Sequence, residues 1–532
     1  MRTPIVLALT VLSVCSAQAR IKLANLGVYS AGAGNTTEIA AYDPESKRIF
    51  SVNGLLGRLD IINVANPKTP ALLNFIATGG FPNSVAVRDG IVAVAVEGTP
   101  RTSPGKVIFY DVDGLKLNEV TVGAVPDMLT FTPNGRYVLV ANEGEPNSYN
   151  RVDSVDPEGS VSVISMAAGV KNLTQNAVRT ARFIGNIPQS NSSSIRRYGP
   201  NASFAQDMEP EYITVSHDSR TAWVTLQENN AIAVLDISDA AFTRIIGLGF
   251  KNHNSELNAL DPSDRDGLNN AGAIKIAPWP VFGMYQPDAI DSYRVEGRTY
   301  LVMANEGDAR DYPGFTEEVR VSALNLDPTA FPNAAALKAN AALGRLTVTN
   351  QLGDIDGDGD FDRIHPLGAR SFTIRDAAGN IVWDSASELE RLTAQLAPAI
   401  FNSNGAPDTF DTRSDNKGPE PEGVVIGKAY GRTYAFVGLE RTGGVMVYDI
   451  SNPKSPKFIE YFNLSPADIS PEGLLFVKAD DSPTGKPLLV ISHEVSGTLR
   501  ILEITKVKGD DDDDEDDEDD EDEDDDRRGG RR

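Results

Sequence analysis

The sequence predicts an all-β fold: a β-propeller, most simply of seven blades, with a helix-containing insertion and a disordered acidic C-terminal tail. Three observations carry this. One pattern of strand, turn, second strand ending near a carboxylate, and third strand recurs seven times. Its strands are short, β-branched and parted by Gly, Pro and Asn turns, and compact copies run to blade length, about 40 residues. The 532 residues are 41% hydrophobic and 23% charged, enough apolar surface for a large core. A lone four-stranded sheet cannot bury both its faces, so such units must stack and close into a ring.

Taken in chain order, residues 1–19 read as a secretory signal, with Arg2 as the basic start, Ile5–Val14 as the apolar stretch and Ala17-Gln18-Ala19 as the cleavage site after Ala19. Ten apolar residues are too few to cross about 30 Å of hydrocarbon. Cys15, the single cysteine, falls inside this segment, so the mature chain has no thiol for a disulfide or a zinc site. Residues 20–508 form the propeller domain, and Lys22–Val28 can supply a strand that closes the ring against the last blade.

The leading unit holds Glu38-Ile39-Ala40-Ala41-Tyr42, RIFSVNG and GRLDIINV. Later inner strands open with Pro82-Asn83, Pro126-Asp127, Pro210-Glu211, Pro287-Asp288, Pro421-Glu422 and Pro471-Glu472. In the fifth unit RTYLVMANEG is followed by VRVSAL as the expected third strand, and an insertion over about 325–418 then interrupts the pattern. That interruption leaves six or eight blades as alternatives. Two helical stretches are expected within it, Asn333–Leu343 and Ser385–Leu396, the second opened by Ser385 and Glu388 at capping-box spacing. Residues 509–532 are the acidic tail: Asp510 to Asp526 is an unbroken run of 17 acids, closed by Arg527, Arg528, Arg531 and Arg532.

The net charge is −26. Without the tail the body still carries 58 acids against 45 bases. An acidic body argues against nucleic acid and anionic membrane as partners, no transmembrane segment is expected, and divalent cations are the natural company.

Aligned by unit, the acidity falls into register. Glu38, Asn83, Asp127, Glu211, Asp288, Glu422 and Glu472 start the inner strands; Glu97, Glu143, Glu228, Glu306, Glu440 and Glu494, with Asn53, end the second strands. Both sets are expected at one mouth of the central channel, as a metal site or as a lattice of ion pairs. Turn chemistry accounts for the Pro, Gly and Asn of these motifs but not for carboxylates crowded together. Carboxylate and amide donors suit Ca²⁺. A separate calcium signal is Asp354, Asp356, Asp358, Asp360 and Asp362 alternating with Gly357 and Gly359, an EF-hand-like start whose twelfth position is His365, not Glu. Its alternative is an acidic surface turn. Arg310, Arg370, Arg413, Lys417 and Arg441 lie in loops of these units, able to bind an anionic substrate or to pair with ring carboxylates. No nucleophile elbow, P-loop or zincin motif occurs.

The strings VLVANEGEPNSY, MANEGDARDY, GDIDGDGDFDRIHPLGARSF, IVWDSASELERLTA and DTRSDNKGPEPEGVVIGKAYGRTYAFVGLERTGGVMVYDI resemble the choice-of-anchor I domain family, over roughly Leu26 to Ile504. This family includes mesenchyme-specific cell-surface glycoproteins and bacterial members with alkaline-phosphatase-like names. The resemblance implies a propeller, an extracellular or surface location and, from the animal members, calcium biomineralisation. It marks Glu143, Glu306, Asp308, Arg310, Arg370, Glu420, Glu422, Glu440 and Arg441 as family-pattern positions without assigning roles. Family members often end in an anchoring signal, whereas this chain ends in its acidic run, so surface attachment has no visible anchor.

The expectation is a secreted, extracellular or periplasmic calcium-binding propeller acting as an interaction or mineral-associated protein, with a mineral surface or an extracellular protein as partner. The alternative is a calcium-dependent phosphoester hydrolase, alkaline phosphatase- or phytase-like, with metal at the channel mouth.

Overall fold

In the computed structural model, which describes residues 20–32, 34 and 37–507, seven sheets of four or five strands stand around a central channel. The signal segment with its cleavage site at Ala19, and the acidic tail, lie outside the described residues.

Each blade is built on four antiparallel strands, and blade 4 adds the short strand Gln189–Ser190 parallel to Ala241–Gly247. The first four have inner strands Ala40–Asp43, Pro82–Arg88, Pro126–Phe131 and Pro210–Val215; the last three have Ile290–Val295, Pro421–Ala429 and Pro471–Val477. The second strands are apolar almost end to end, as in IVAVAV over Ile91–Val96, because neighbouring blades cover both of their faces. The core therefore lies between blades. Phe50, Val52 and Ile61 of blade 1 pack on Val85, Val94 and Ile108 of blade 2. At the blade 3–4 junction Phe183 stacks on Phe242 with ring centroids 4.1 Å apart.

The ring closes as the sequence predicts. Arg20–Ser30 pairs antiparallel with Thr498–Val507, so blade 7 takes its outer strand from the start of the described chain. Ile21 and Leu23 are buried with Leu489, Ile491 and Ile504, and Leu23 donates its N–H to Glu460 of blade 6 at 2.7 Å.

Three expectations change. The third strand of blade 5 is Ser371–Asp376, paired with Arg298–Asn305; Glu318–Arg320 instead forms a two-stranded ribbon with Thr347–Thr349. Inserted chain thus runs in two stretches, 306–370 inside blade 5 and 385–420 leading to blade 6. The first helical stretch is one turn, Ala334–Leu337. The second helix is Glu388–Leu396, and no capping box forms: the Ser385 hydroxyl accepts the Phe372 N–H at 3.0 Å, and Glu388 accepts the Tyr448 hydroxyl at 3.2 Å.

Inner strands run away from the mouth where they begin, so connections after second and fourth strands return to that same mouth. Segments 143–159, 183–209, 248–289, 306–370 and 385–420 all do this, whereas most turns on the other face are short, as at 89–90 and 296–297, the longest being 166–177. One mouth is roofed by inserted chain.

Candidate metal centre

The motif that opens the inner strands also aims their acids. Pro82, Pro126, Pro210, Pro421 and Pro471 each pair with the end of a second strand, and the register shifts immediately afterwards in all five blades. A bulge re-aims the side chain it carries; here it carries Asn83, Asp127, Glu211, Glu422 and Glu472. The residue before the proline fixes the second set. Val125, Glu420 and Ser470 have φ of 47°, 53° and 62°. Their carbonyls accept the N–H groups of Glu143, Glu440 and Glu494 at 2.8, 2.8 and 2.9 Å. Left-handed backbone at a β-branched residue such as Val125 is strained, and such strain gathers where geometry is held for function.

Small residues let the inner strands converge. A Cβ on Gly423 would drive into the carbonyl oxygen of Glu472, and one on Gly473 into that of Glu38. Met128 and Tyr212 line the channel, and at the carboxylate end a cavity of about 60 Å³ lies among Asn83, Asp127, Asp288 and Glu472.

Burial and mutual repulsion raise these carboxyls. Glu38 is pushed up to about 8, by burial first and then by Glu494 and Asp127. Asp127 is pushed up to about 7, by burial and Glu145. Glu440 is pushed up to about 8, by burial, then Glu420 and Glu306. Glu143, Glu211, Asp288, Glu422 and Glu472 are held well above the usual carboxylate range, burial again leading. Blade 5's Asp288 feels Asp127 of blade 3, and Glu472 of blade 7 feels Asp288, so the set interacts across the channel.

Three triads at the mouth bring carboxylate oxygens within 4.8 Å of one another: Glu143/Glu211/Glu228, Asp288/Glu306/Glu422 and Glu306/Glu420/Glu440. Glu472 and Glu494 stand outside them, in the arc of blades 7 and 1 with Glu38. Oxygens of Glu211, Glu228 and Glu422 are buried without a hydrogen-bond partner, a state that leaves a charged group's desolvation uncompensated. The donors are all hard oxygens in a site roomy in charge and poor in thiolate and imidazole, which fits Ca²⁺.

The five basic residues divide. Arg310 is fully buried, its guanidinium bonded to Asp207 and Glu209 and lying 4.6 Å from the Tyr198 ring centroid. Arg370 is likewise buried, bonded to Glu390 at 2.8 Å and to the carbonyls of Asp261, Ser414 and Asn416. Both side chains are spent inside the roof, which corrects their reading as grips for an external anion. Arg413 bonds Glu420, Lys417 bonds Glu306 and Glu420, and Arg441 bonds Glu440 at 2.9 Å.

The aspartate loop is separate from the mouth. Asp354, Asp356 and Asp362 form one triad, and Asp362 with Asp360 joins Asp327 in another. Asp354 caps the turn by accepting the N–H groups of Gly357 and Gly359 at 2.7 and 3.0 Å, and Asp358 accepts the Asp360 N–H at 3.1 Å. Gly357 and Gly359, at φ 79° and 96°, make that turn possible, and no helix flanks it. His365 faces the body, its Nδ1 2.9 Å from the Phe282 carbonyl oxygen, so it supplies no twelfth ligand.

Sequence reasoning missed Glu145, Glu209 and Arg101 at the mouth. Arg101 bridges Glu97 and Glu145, and the Tyr312 hydroxyl donates to Glu145 at 2.7 Å. The only signal was doubling, in GEP after Glu143 and in EPEY around Glu209.

Fold and mouth together define a seven-bladed propeller whose channel ends in a roofed nest of carboxylates. Residues 38–453 match the choice-of-anchor I domain, and the chain belongs to that family. It is similar to gigasin-3a of Magallana gigas, 28% identical over 191 residues, 32% of this chain and 67% of that protein. It is also similar to the mesenchyme-specific cell surface glycoprotein of Strongylocentrotus purpuratus, 27% identical over 348 residues, 58% of this chain and 42% of that one. The chain thus spans less than half of the latter's length. Among solved structures, a chain of Kuenenia stuttgartiensis hydrazine synthase aligns at a TM-score of 0.46 and 12% identity, over 89% of this chain and 99% of that one.

Proposed function

We propose that this protein is an extracellular β-propeller that holds a divalent cation of the calcium type at its roofed mouth and acts as an interaction or mineral-associated protein. The observation that carries the reading is the set of bulge-aimed carboxylates, buried together with oxygens left unpartnered. Crowded like charges need a counter-cation, and Arg101, Arg413, Lys417 and Arg441 do not balance them. The signal-like start and a relative named a cell surface glycoprotein support the extracellular place. No helix among the described residues is long and apolar enough to cross a membrane. The aspartate loop and the acidic tail support a mineral-facing role.

Titration calorimetry with Ca²⁺ on the mature chain tests this. Measurable heat and a raised melting temperature at millimolar calcium are expected; the absence of both would sink the reading. A calcium-dependent phosphoester hydrolase has less support, because Arg310 and Arg370 are spent internally and the other three bases already face carboxylates. Chelator-sensitive turnover of a phosphomonoester by the pure protein would revive it.

A further inference from the structure

The three triads at the mouth are not neutralised alike. Glu306/Glu420/Glu440 is met by three bases from the roof and the rim. Lys417 Nζ lies 2.6 Å from Glu306 and 3.3 Å from Glu420, Arg413 Nε lies 2.8 Å from Glu420, and Arg441 lies 2.9 Å from Glu440. Three positive groups face three carboxylates, and Lys417 occupies the position a metal ion would take between two of them. Asp288/Glu306/Glu422 shares Glu306 with that triad. The second oxygen of Glu306 accepts the Gln227 amide at 2.9 Å. Glu306 is therefore already committed on both oxygens.

The Glu143/Glu211/Glu228 triad has no such company. No side chain among the described residues donates a hydrogen bond to any of its three carboxylates. Glu211 and Glu228 are 7% and 4% exposed, and each keeps one buried oxygen without a partner. Three buried carboxylates with no bonded cation form a strong local demand for positive charge; Glu422 keeps an orphaned oxygen too, but its triad depends on Glu306, whose two oxygens are taken. Gln227 and Glu228 are adjacent residues that reach into different triads, so the neutralised and the bare triad are neighbours.

We propose that the mouth is a single-ion site: one divalent cation of the calcium type binds Glu143, Glu211 and Glu228, while the tethered ammonium of Lys417 closes the neighbouring Glu306/Glu420/Glu440 triad to metal. This rests on the cation-binding reading above and deepens it by naming which carboxylates take the ion and what limits its number. A hard cation satisfies the orphaned oxygens of Glu211 and Glu228 at once. The lysine supplies the same neutralisation on the other side without an ion, and it cannot be chelated away.

Bound Ca²⁺ is counted by equilibrium dialysis of the chelator-stripped mature chain. Asp354, Asp356 and Asp362 are first changed to Asn and dialysis is run at low free Ca²⁺ in physiological salt, so that neither the aspartate loop nor weak binding by the acidic tail contributes. This background is expected to bind one ion per chain, E211Q/E228Q none and K417M two. Terbium luminescence and near-ultraviolet circular dichroism confirm site loading and folding, and K417Q serves as a second variant that keeps an amide donor to Glu306. A background that binds no ion overturns the cation-binding reading itself. One ion retained in E211Q/E228Q overturns the assignment to this triad while the reading stands. A count that stays at one in K417M and K417Q overturns the role of the lysine.

Discussion

Lys417 and Glu306 meet across the roof of the channel, ammonium nitrogen to carboxylate oxygen, at 2.6 Å. The contact joins the segment leading into blade 6 to the end of the second strand in blade 5. A roof loop is thereby pinned to the ring it covers, and the pin is also a counter-charge. Were roof and ring only packed together, the acids of blades 5 and 6 would face one another bare. Arg413 and Arg441 extend the same arrangement along Glu420 and Glu440.

Stability of the metal-free protein should fall as pH rises from about 4.5 to 8. Glu38, pushed up to about 8, and Asp127, pushed up to about 7, keep their protons in the folded chain where the unfolded chain has lost them. The unfolded state then binds fewer protons, so stability present below the unfolded pKa is lost as pH climbs through the folded one. Each such group contributes at most about 1.4 kcal/mol per pH unit in that window. Added Ca²⁺ should flatten the loss, because the ion takes over neutralisation from the proton. Melting curves in chelator and in millimolar Ca²⁺ from pH 4.5 to 8.5 should diverge with rising pH; parallel curves would contradict the mouth as the seat of the effect.

Arg310→Met should destabilise the fold severely. The guanidinium is fully buried, and Asp207 and Glu209 would be left as unpaired buried charges beneath the Tyr198 ring. Removing one partner of a buried pair costs about 3–5 kcal/mol. Arg310→Lys should recover only part of this, since a point charge cannot fork to both acids. Urea midpoints of the two variants against the parent give the measurement, and a loss under about 1 kcal/mol in Arg310→Met would show the network to be dispensable.

Much of the architecture was legible because it repeats. The Pro-acid openings and the second-strand acids recur at fixed places, and the structure puts them on seven blades with a closing strand at Arg20–Ser30. What failed was local and unrepeated. Val319–Leu324 has the β-branched look of a third strand, yet its start pairs with Thr347–Thr349, and the blade takes Ser371–Asp376 instead. Pairing partners 66 or more residues apart leave no local pattern. The same distance hides Arg310 from Asp207 and Lys417 from Glu306: type and motif marked these residues, but only packing shows that one is buried in the roof and the other a substitute cation.

Gly423→Ala should weaken both folding and cation binding. Its Cβ would strike the carbonyl of Glu472, and that blade 7 backbone carries the neighbouring channel carboxylate. Overpacking of this kind costs about 1–3 kcal/mol. Pushing the inner strands of blades 6 and 7 apart also displaces Glu422 and Glu472 together. Gly431→Ala is the comparison: its left-handed φ of 78°, which Gly423 does not share, strains an alanine, but a Cβ there meets open space at the far end of the same strand pair. Calorimetry should show reduced Ca²⁺ affinity for Gly423→Ala and parental affinity for Gly431→Ala.

Leu23→Ala tests how the ring is held shut. Leu23 lies on the closing strand, 2% exposed against Leu489, Ile491 and Ile504, and its N–H is held by Glu460 of blade 6. Truncating a buried leucine costs about 2–5 kcal/mol. In a ring of blades that loss falls on one seam, because each blade packs chiefly on its two neighbours. The seam here lies within blade 7, between the first described strand and the last, which no turn connects. Native-state hydrogen exchange should therefore speed up first in Arg20–Ser30 and Thr498–Val507, while the second strands of blades 3 and 4, Tyr137–Asn142 and Thr221–Leu226, keep their protection. Uniform loss of protection across all seven blades would mean that the propeller opens as one unit and that the closing strand is no weaker than any other contact.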